Sequence, residues 1–180
     1  MIFRPTRLAG AFEIDLERRE DERGFFARSF CRREFEDQAL EPCVAQCSVS
    51  FNRRRGTLRG MHWQADPHGE AKLVRVTRGA VWDVIVDLRS ESPTCGEWFG
   101  VELSADDRRA IYVPHGVAHG FQTLVDDVEV FYQMSAEYVP DAQRGVRWDD
   151  PAFDIAWPIP TPILNDRDAG YPDFKPTRIA

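Results

Sequence analysis

No stretch of this chain approaches the roughly 20 consecutive apolar residues that a membrane-spanning helix needs, and Met1 to Gly10 lacks the long apolar run of a secretory signal. A soluble, cytoplasmic protein is therefore expected. Positive charge is in short supply: 23 Lys and Arg against 30 Asp and Glu leave a net charge of −7, so a nucleic acid or an anionic membrane would be repelled by the surface as a whole. A small anion can still be held where arginines cluster. Cysteine is sparse, and Cys31, Cys43, Cys47 and Cys95 form no paired CxxC units. Free thiols are expected, and a Cys43/Cys47 metal clip is disfavoured by its loose spacing and the lack of an adjacent histidine. Alternating strand and helix patterns, internal repeats and low-complexity tracts are missing too, which argues against a parallel βαβ architecture.

What is present is 180 residues with 43% hydrophobic content, enough for one sizeable core and one domain spanning 1–180. The middle of the chain is a succession of short apolar stretches broken by turn residues, an all-β pattern. Val81 to Leu88 alternates, with Trp82, Val84, Val86 and Leu88 on one face and Asp83 and Asp87 on the other. Lys72 to Thr77 mixes polar and apolar residues before a turn at Arg78 and Gly79. Further strands are expected over Phe25–Phe30, Leu58–Trp63, Phe99–Leu103, Ala110–Val113, Phe121–Leu124 and Val128–Met134, a number and spacing that suit a sandwich or small barrel. Arg32 to Gln38, anchored by Phe35, predicts one short helix. Beyond Tyr138, prolines at 140, 151, 158, 160, 162 and 172 prevent long elements, while Trp148, Phe153, Ile155 and Trp157 give that tail, about 140–180, apolar residues with which to wrap the barrel.

All four histidines lie between His62 and His119. His68 and His115, beside Pro and Gly in turns, read as structural. His62 lies in a strand near Gly60, where a ligand can approach the backbone. One chemistry would gather His62, His68, Glu70 and His119 around a metal, since Pro114-x-Gly116-x-x-His119 resembles a motif of metal-binding cupins. Such cupins carry two inward histidines one residue apart, whereas position 64 is Gln64. The other chemistry is proton transfer, with one histidine as base, Asp83 or Asp168 orienting it, and Tyr132 reaching in from the opposite wall as acid. Lys72, at the start of an apolar strand, either faces solvent or serves an anionic intermediate.

Several blocks then resemble one family. They are Asp21-Glu22-Arg23-Gly24-Phe25-Phe26, Gly56-Thr57-Leu58-Arg59-Gly60-Met61-His62-Trp63-Gln64, Lys72-Leu73-Val74-Arg75-Val76, Trp82 through Arg89, Val113 through Phe121, Trp148-Asp149-Asp150-Pro151 and Asn165-Asp166-Arg167-Asp168. In this order, from about Phe12 to Phe174, they closely resemble the dTDP-4-dehydrorhamnose 3,5-epimerase family. The resemblance implies a cupin-type jelly-roll barrel without metal or redox cofactor. It further implies a homodimer in which an N-terminal arm, about 1–30, is exchanged so that each site borrows residues from its neighbour. The activity implied is epimerisation of a dTDP-4-keto-6-deoxyhexose at C3, C5 or both, through an enolate. A single-centre epimerase, a metal-dependent cupin enzyme and a non-catalytic sugar-nucleotide binder are the rival readings. By resemblance His62 is the base, Asp168 its partner, Tyr132 the acid and Lys72 the residue near the enolate oxygen. Arg23, Phe26, Gln46, Arg59, His119 and Tyr138 match binding positions. Three departures stand out: Arg28 replaces a glutamate that lies near the nucleobase in relatives, Gln46 through Asn52 replaces a Gln-Asp-Asn-x-Ser-type stretch, and Gln143 stands where many relatives carry glutamate.

Overall fold

The computed structural model describes residues 1–174; of the expected wrapping tail, residues 175–180 lie outside the described residues. In chain order the strands are β1 (Ile2–Pro5), β2 (Phe12–Asp15), β3 (Arg19–Asp21), β4 (Gly24–Phe26), β5 (Gln46–Asn52), β6 (Leu58–Gln64), β7 (Lys72–Arg78) and β8 (Ala80–Asp87). They continue with β9 (Trp98–Ser104), β10 (Ala110–Val113), β11 (Val117–Thr123), β12 (Val128–Met134) and β13 (Gln143–Gly145); two short helices are α1 (Arg32–Asp37) and α2 (Asp166–Ala169). One sheet runs β1-β2-β10-β7-β12-β5 and the other β13-β6-β11-β8-β9, while β3 and β4 form a separate hairpin. The expected all-β jelly roll is what the chain adopts.

Alternation dictates how the sheets stack. Val74, Val76, Ile111, Val113, Val128 and Val130 of the first sheet meet Val81, Ile85, Leu103, Val117 and Phe121 of the second in the central core. The other face of β8, with Trp82, Val84, Val86 and neighbouring Leu88, packs against Val146, Phe153, Ile155 and Trp157 of the C-terminal segment. That segment is pinned by Gln122, whose side chain exchanges two 2.9 Å hydrogen bonds with the Ile159 backbone. The outer face of the first sheet is covered by α1, whose Phe35 is buried among Ile14, Leu73 and Tyr112.

Three expectations are corrected. The strand predicted over Phe25–Phe30 stops at Phe26, because β4 has only the exposed β3 to pair with, and Phe30 turns back to pack on Phe35 at 4.9 Å between ring centroids. The strand predicted over Phe121–Leu124 runs from Val117 to Thr123, so His119 lies within it. Strand β5 was not anticipated at all.

Candidate active site

Between the sheets lies a cavity of about 480 Å³, lined by β5, β7 and β12 on one wall and by β6, β11 and α2 on the other. Its first requirement is a β-bulge. On β6 and β11, His62 faces His119 and Arg59 faces Phe121, so Gly60 and Met61 together oppose Gly120 alone. The extra residue reverses the alternation, and Arg59 and His62, three positions apart, both line the cavity. Glycine is needed there, since Gly60 has φ +131 and a Cβ on it would lie 2.5 Å from the Gly120 Cα.

His62 is oriented from α2. The Asn165 side chain caps that helix by accepting the Asp168 N–H at 2.7 Å, which leaves the Asp168 carboxylate, only 2% exposed, directed at β6. One oxygen lies 2.8 Å from His62 Nε2 and the other accepts the Gly60 N–H at 3.1 Å. Burial pushes the Asp168 carboxyl up, but the His62 contact, the Gly60 N–H and the Arg167 charge outweigh it and hold it below the usual range. An ionised Asp168 accepts a hydrogen bond from Nε2–H of His62, which selects the tautomer that leaves Nδ1 with its lone pair. The Tyr171 ring packs edge-on against His62 at 5.9 Å. It fits because position 145, paired with His62 across β13 and β6, is Gly145.

The facing wall follows from register. Tyr132 pairs with Ser48 on β5, and Met134 pairs with both Gln46 and Lys72, so period-two alternation puts these side chains on one face, and all of them line the cavity. Lys72 Nζ reaches across the sandwich to donate to the His62 carbonyl at 3.2 Å and pairs with Glu70 at 3.2 Å. The Tyr132 hydroxyl has no protein hydrogen-bond partner among the described residues, and burial, reinforced by the Asp83 charge and opposed by Arg59, pushes its phenol up, keeping it protonated.

The choice between Asp83 and Asp168 is resolved by position. Asp83, fully buried, binds His119 Nε2 at 2.9 Å, and burial raises its carboxyl despite that partner. His119 in turn packs edge-on against Tyr132 at 5.9 Å. The two inward imidazoles thus each face their own carboxylate. Among the described residues no group of three His, Cys, Asp or Glu side chains is arranged to hold a metal ion. Gln64, 3% exposed, is spent on the backbone, donating to His68 and Glu137 carbonyls and accepting from the Val139 N–H.

Of the predicted binding residues, Gln46, Arg59, His119 and Tyr138 line the cavity. The Tyr138 N–H donates to Gln46 at 2.9 Å and its phenol to Gln143 at 2.5 Å. Arg167, singled out only as part of a motif, donates to the same Gln143 oxygen at 2.8 Å. Arg23 and Phe26 are not brought to this cavity. They stand on the exposed β3–β4 hairpin, where Arg23 pairs with Asp21 and Phe26 is 76% exposed. Arg28 pairs with Glu34 at 2.7 Å beside a separate hollow. Tyr171, Gly145 and Ser48 were missed; only the glycine, in an otherwise polar short strand, carried any signal.

Comparison with known proteins places this geometry. The family described as dTDP-4-dehydrorhamnose 3,5-epimerase matches residues 5–176. A protein of that name from Mycolicibacterium smegmatis is 43% identical over 184 residues, covering 100% of this chain and 89% of its own. A dTDP-4-dehydrorhamnose 3-epimerase from Streptomyces niveus is 41% identical over 169 residues, covering 93% and 81%. The crystal structure of dTDP-4-dehydrorhamnose 3,5-epimerase from Bacillus anthracis with TDP and PPi bound superposes with a TM-score of 0.92 at 39% identity, covering 96% of this chain and 99% of that one.

Proposed function

Because this chain belongs to the dTDP-4-dehydrorhamnose 3,5-epimerase family, we propose that it is an isomerase that inverts C3 and C5 of a dTDP-4-keto-6-deoxyhexose by proton transfer between His62 and Tyr132. The observation that carries this reading is a histidine held by a buried carboxylate on one sheet, with a protonated phenol on the facing sheet of the same cavity.

A ketone at C4 acidifies the protons on C3 and C5. His62 Nδ1 accepts one of them, the C–H electron pair becomes a C=C bond to C4, and the carbonyl π pair moves onto oxygen to give the enolate. Asp168 stabilises the imidazolium that results. Lys72, its side chain 11% exposed, offers a positive charge for the enolate oxygen. Tyr132 then delivers its proton to the opposite face of the same carbon, the C4 carbonyl re-forms, and the centre is inverted. Return of a proton from the His62 imidazolium to the Tyr132 phenolate through solvent resets the pair, which can then treat C5 like C3 once the ring shifts between the two walls.

The reading includes a homodimer that supplies Arg23 and Phe26 to the neighbouring site through the N-terminal arm. The exposed hairpin supports it, as do Val49 and Phe51, 58% and 45% exposed on the outer face of edge strand β5. A cytoplasmic location belongs to the same reading, since all four cysteines are free. Inversion at C3 alone is the second reading, favoured by the Streptomyces niveus relative. Incubation with dTDP-4-keto-6-deoxyglucose and measurement of ring proton couplings in the product decides: couplings of the doubly inverted sugar support the first reading, those of a singly inverted sugar the second, and unchanged substrate overturns both.

A further inference from the structure

Arg59 is held differently from the ion-paired arginines of the fold. Arg89 pairs with Asp87, and Arg109 with Glu13 and Asp107, so their charges are largely neutralised at home. Arg59 instead donates its Nε–H to the side-chain oxygen of Asn52 at 2.7 Å, and among the described residues it has no carboxylate within ion-pair distance. The acceptor is itself immobilised. Asn52 is 2% exposed, and its NH2 group faces the Ser50 carbonyl at 3.2 Å, the Val128 carbonyl at 3.4 Å and the Ser50 hydroxyl at 3.4 Å. Two carbonyls on the nitrogen side leave only the oxygen for Arg59, so the amide orientation is set by its partners.

The consequence lies in what remains free. With Nε engaged, the four Nη hydrogens of Arg59 stay available, and the side chain borders both the 480 Å³ catalytic cavity and an adjoining one of about 610 Å³ that Arg53 and Arg54 also line. A planar guanidinium with its outer nitrogens free matches two oxygens of a phosphate.

We propose that Asn52 is the positioning residue of the diphosphate site: it fixes the Arg59 fork through a neutral acceptor, gaining orientation without cancelling the charge that attracts the ligand. An aspartate here would still offer Arg59 an acceptor but would neutralise it, and its second oxygen would face the Ser50 and Val128 carbonyls that now accept from the NH2 group; an alanine would leave the charge and release the fork. The assignment rests on the nucleotide-sugar reading above and names how that site holds its anion.

The test is dTDP affinity by calorimetry, with KM and kcat for the sugar nucleotide, in wild type, Asn52→Asp and Asn52→Ala. Asn52→Asp should weaken dTDP binding about tenfold to a hundredfold, the scale expected for one unit charge a few ångströms from a phosphate near a protein surface. The loss should fall on KM more than on kcat, and the dependence of binding on ionic strength should flatten. Asn52→Ala should cost about tenfold while keeping the wild-type salt dependence, because the charge is still there. Affinity of Asn52→Asp equal to wild type would overturn the proposal. Should that variant not fold, unchanged affinity of Asn52→Ala would overturn it equally. Wild-type protein that binds no dTDP would overturn the nucleotide reading together with it, which separates the two failures.

Discussion

Replacing Asp168 by Asn keeps the size of the side chain and removes its charge, and two effects of that change can be worked out. His62 Nε2 lies 2.8 Å from the carboxylate, so an imidazolium formed there has its charge centre about 4 Å from that of Asp168. With an effective dielectric near 20, the attraction is about 4 kcal/mol. If it develops fully in the transition state, its loss costs roughly a thousandfold in rate. The second effect concerns the tautomer. The Gly60 N–H at 3.1 Å demands an acceptor, so the Asn oxygen turns toward Gly60 and its NH2 toward His62. Nε2 must then carry the lone pair, and the proton moves to Nδ1, where a base is wanted. Both effects act on kcat and leave KM within a few-fold of wild type. The assay is the rate of solvent deuterium entry at C3 and C5 of dTDP-4-keto-6-deoxyglucose, followed by proton NMR, with circular dichroism to verify the fold. An Asp168→Asn enzyme that retains a tenth or more of the wild-type rate would mean that Asp168 neither stabilises the His62 imidazolium nor fixes its tautomer.

Tyr132→Phe removes the proton delivered to the second face, so epimer formation should fall by about 10²–10⁴-fold while exchange of the proton taken by His62 survives in part; equal losses of both would contradict separate acid and base roles. Asp87 is buried, but hydrogen bonds from Arg89, Ser92 and Thr94 overcome that burial and hold its carboxyl at about 2 against an ordinary 3.8, worth about 2 kcal/mol of stability. A depressed carboxylate stabilises above its unfolded pKa and ceases to as pH falls through the folded one, so Asp87→Asn should be less stable by about 2 kcal/mol at pH 7 in urea titrations, with the gap closing between pH 4 and pH 2. Mixing inactive Arg23→Ala and His62→Ala subunits should restore activity if Arg23 works in the neighbouring site, since one site of each hybrid dimer is then intact; no recovery after verified subunit exchange would contradict a role for Arg23 in the neighbouring site.

Where the buried face was apolar, the sequence was readable. The alternation from Val81 to Leu88 separated Trp82, Val84 and Val86 from Asp83 without error, and the tail declared its wrapping role through Phe153, Ile155 and Trp157. Strand β5 escaped because its inward residues Gln46, Ser48 and Ser50 face a polar cavity while Val49 and Phe51 point outward, which inverts the pattern that burial normally writes. The pairing of Arg59 with His62 on one face was hidden by the bulge, since an odd spacing places two residues on opposite faces of a regular strand. Asp83 and Asp168 were indistinguishable as partners of His62 because the choice depends on which histidine each meets across the fold. Arg23 and Phe26 matched motifs, yet a single chain leaves them outside the cavity, as no local pattern could reveal.

Whether His62 removes the protons beside the ketone is decided by deuterium entry into dTDP-4-keto-6-deoxyglucose, compared between wild type and His62→Ala in deuterated water. Wild type should incorporate deuterium at C3 and C5 and folded His62→Ala none above the uncatalysed rate; incorporation by the variant at a rate near wild type would mean that His62 is not the base.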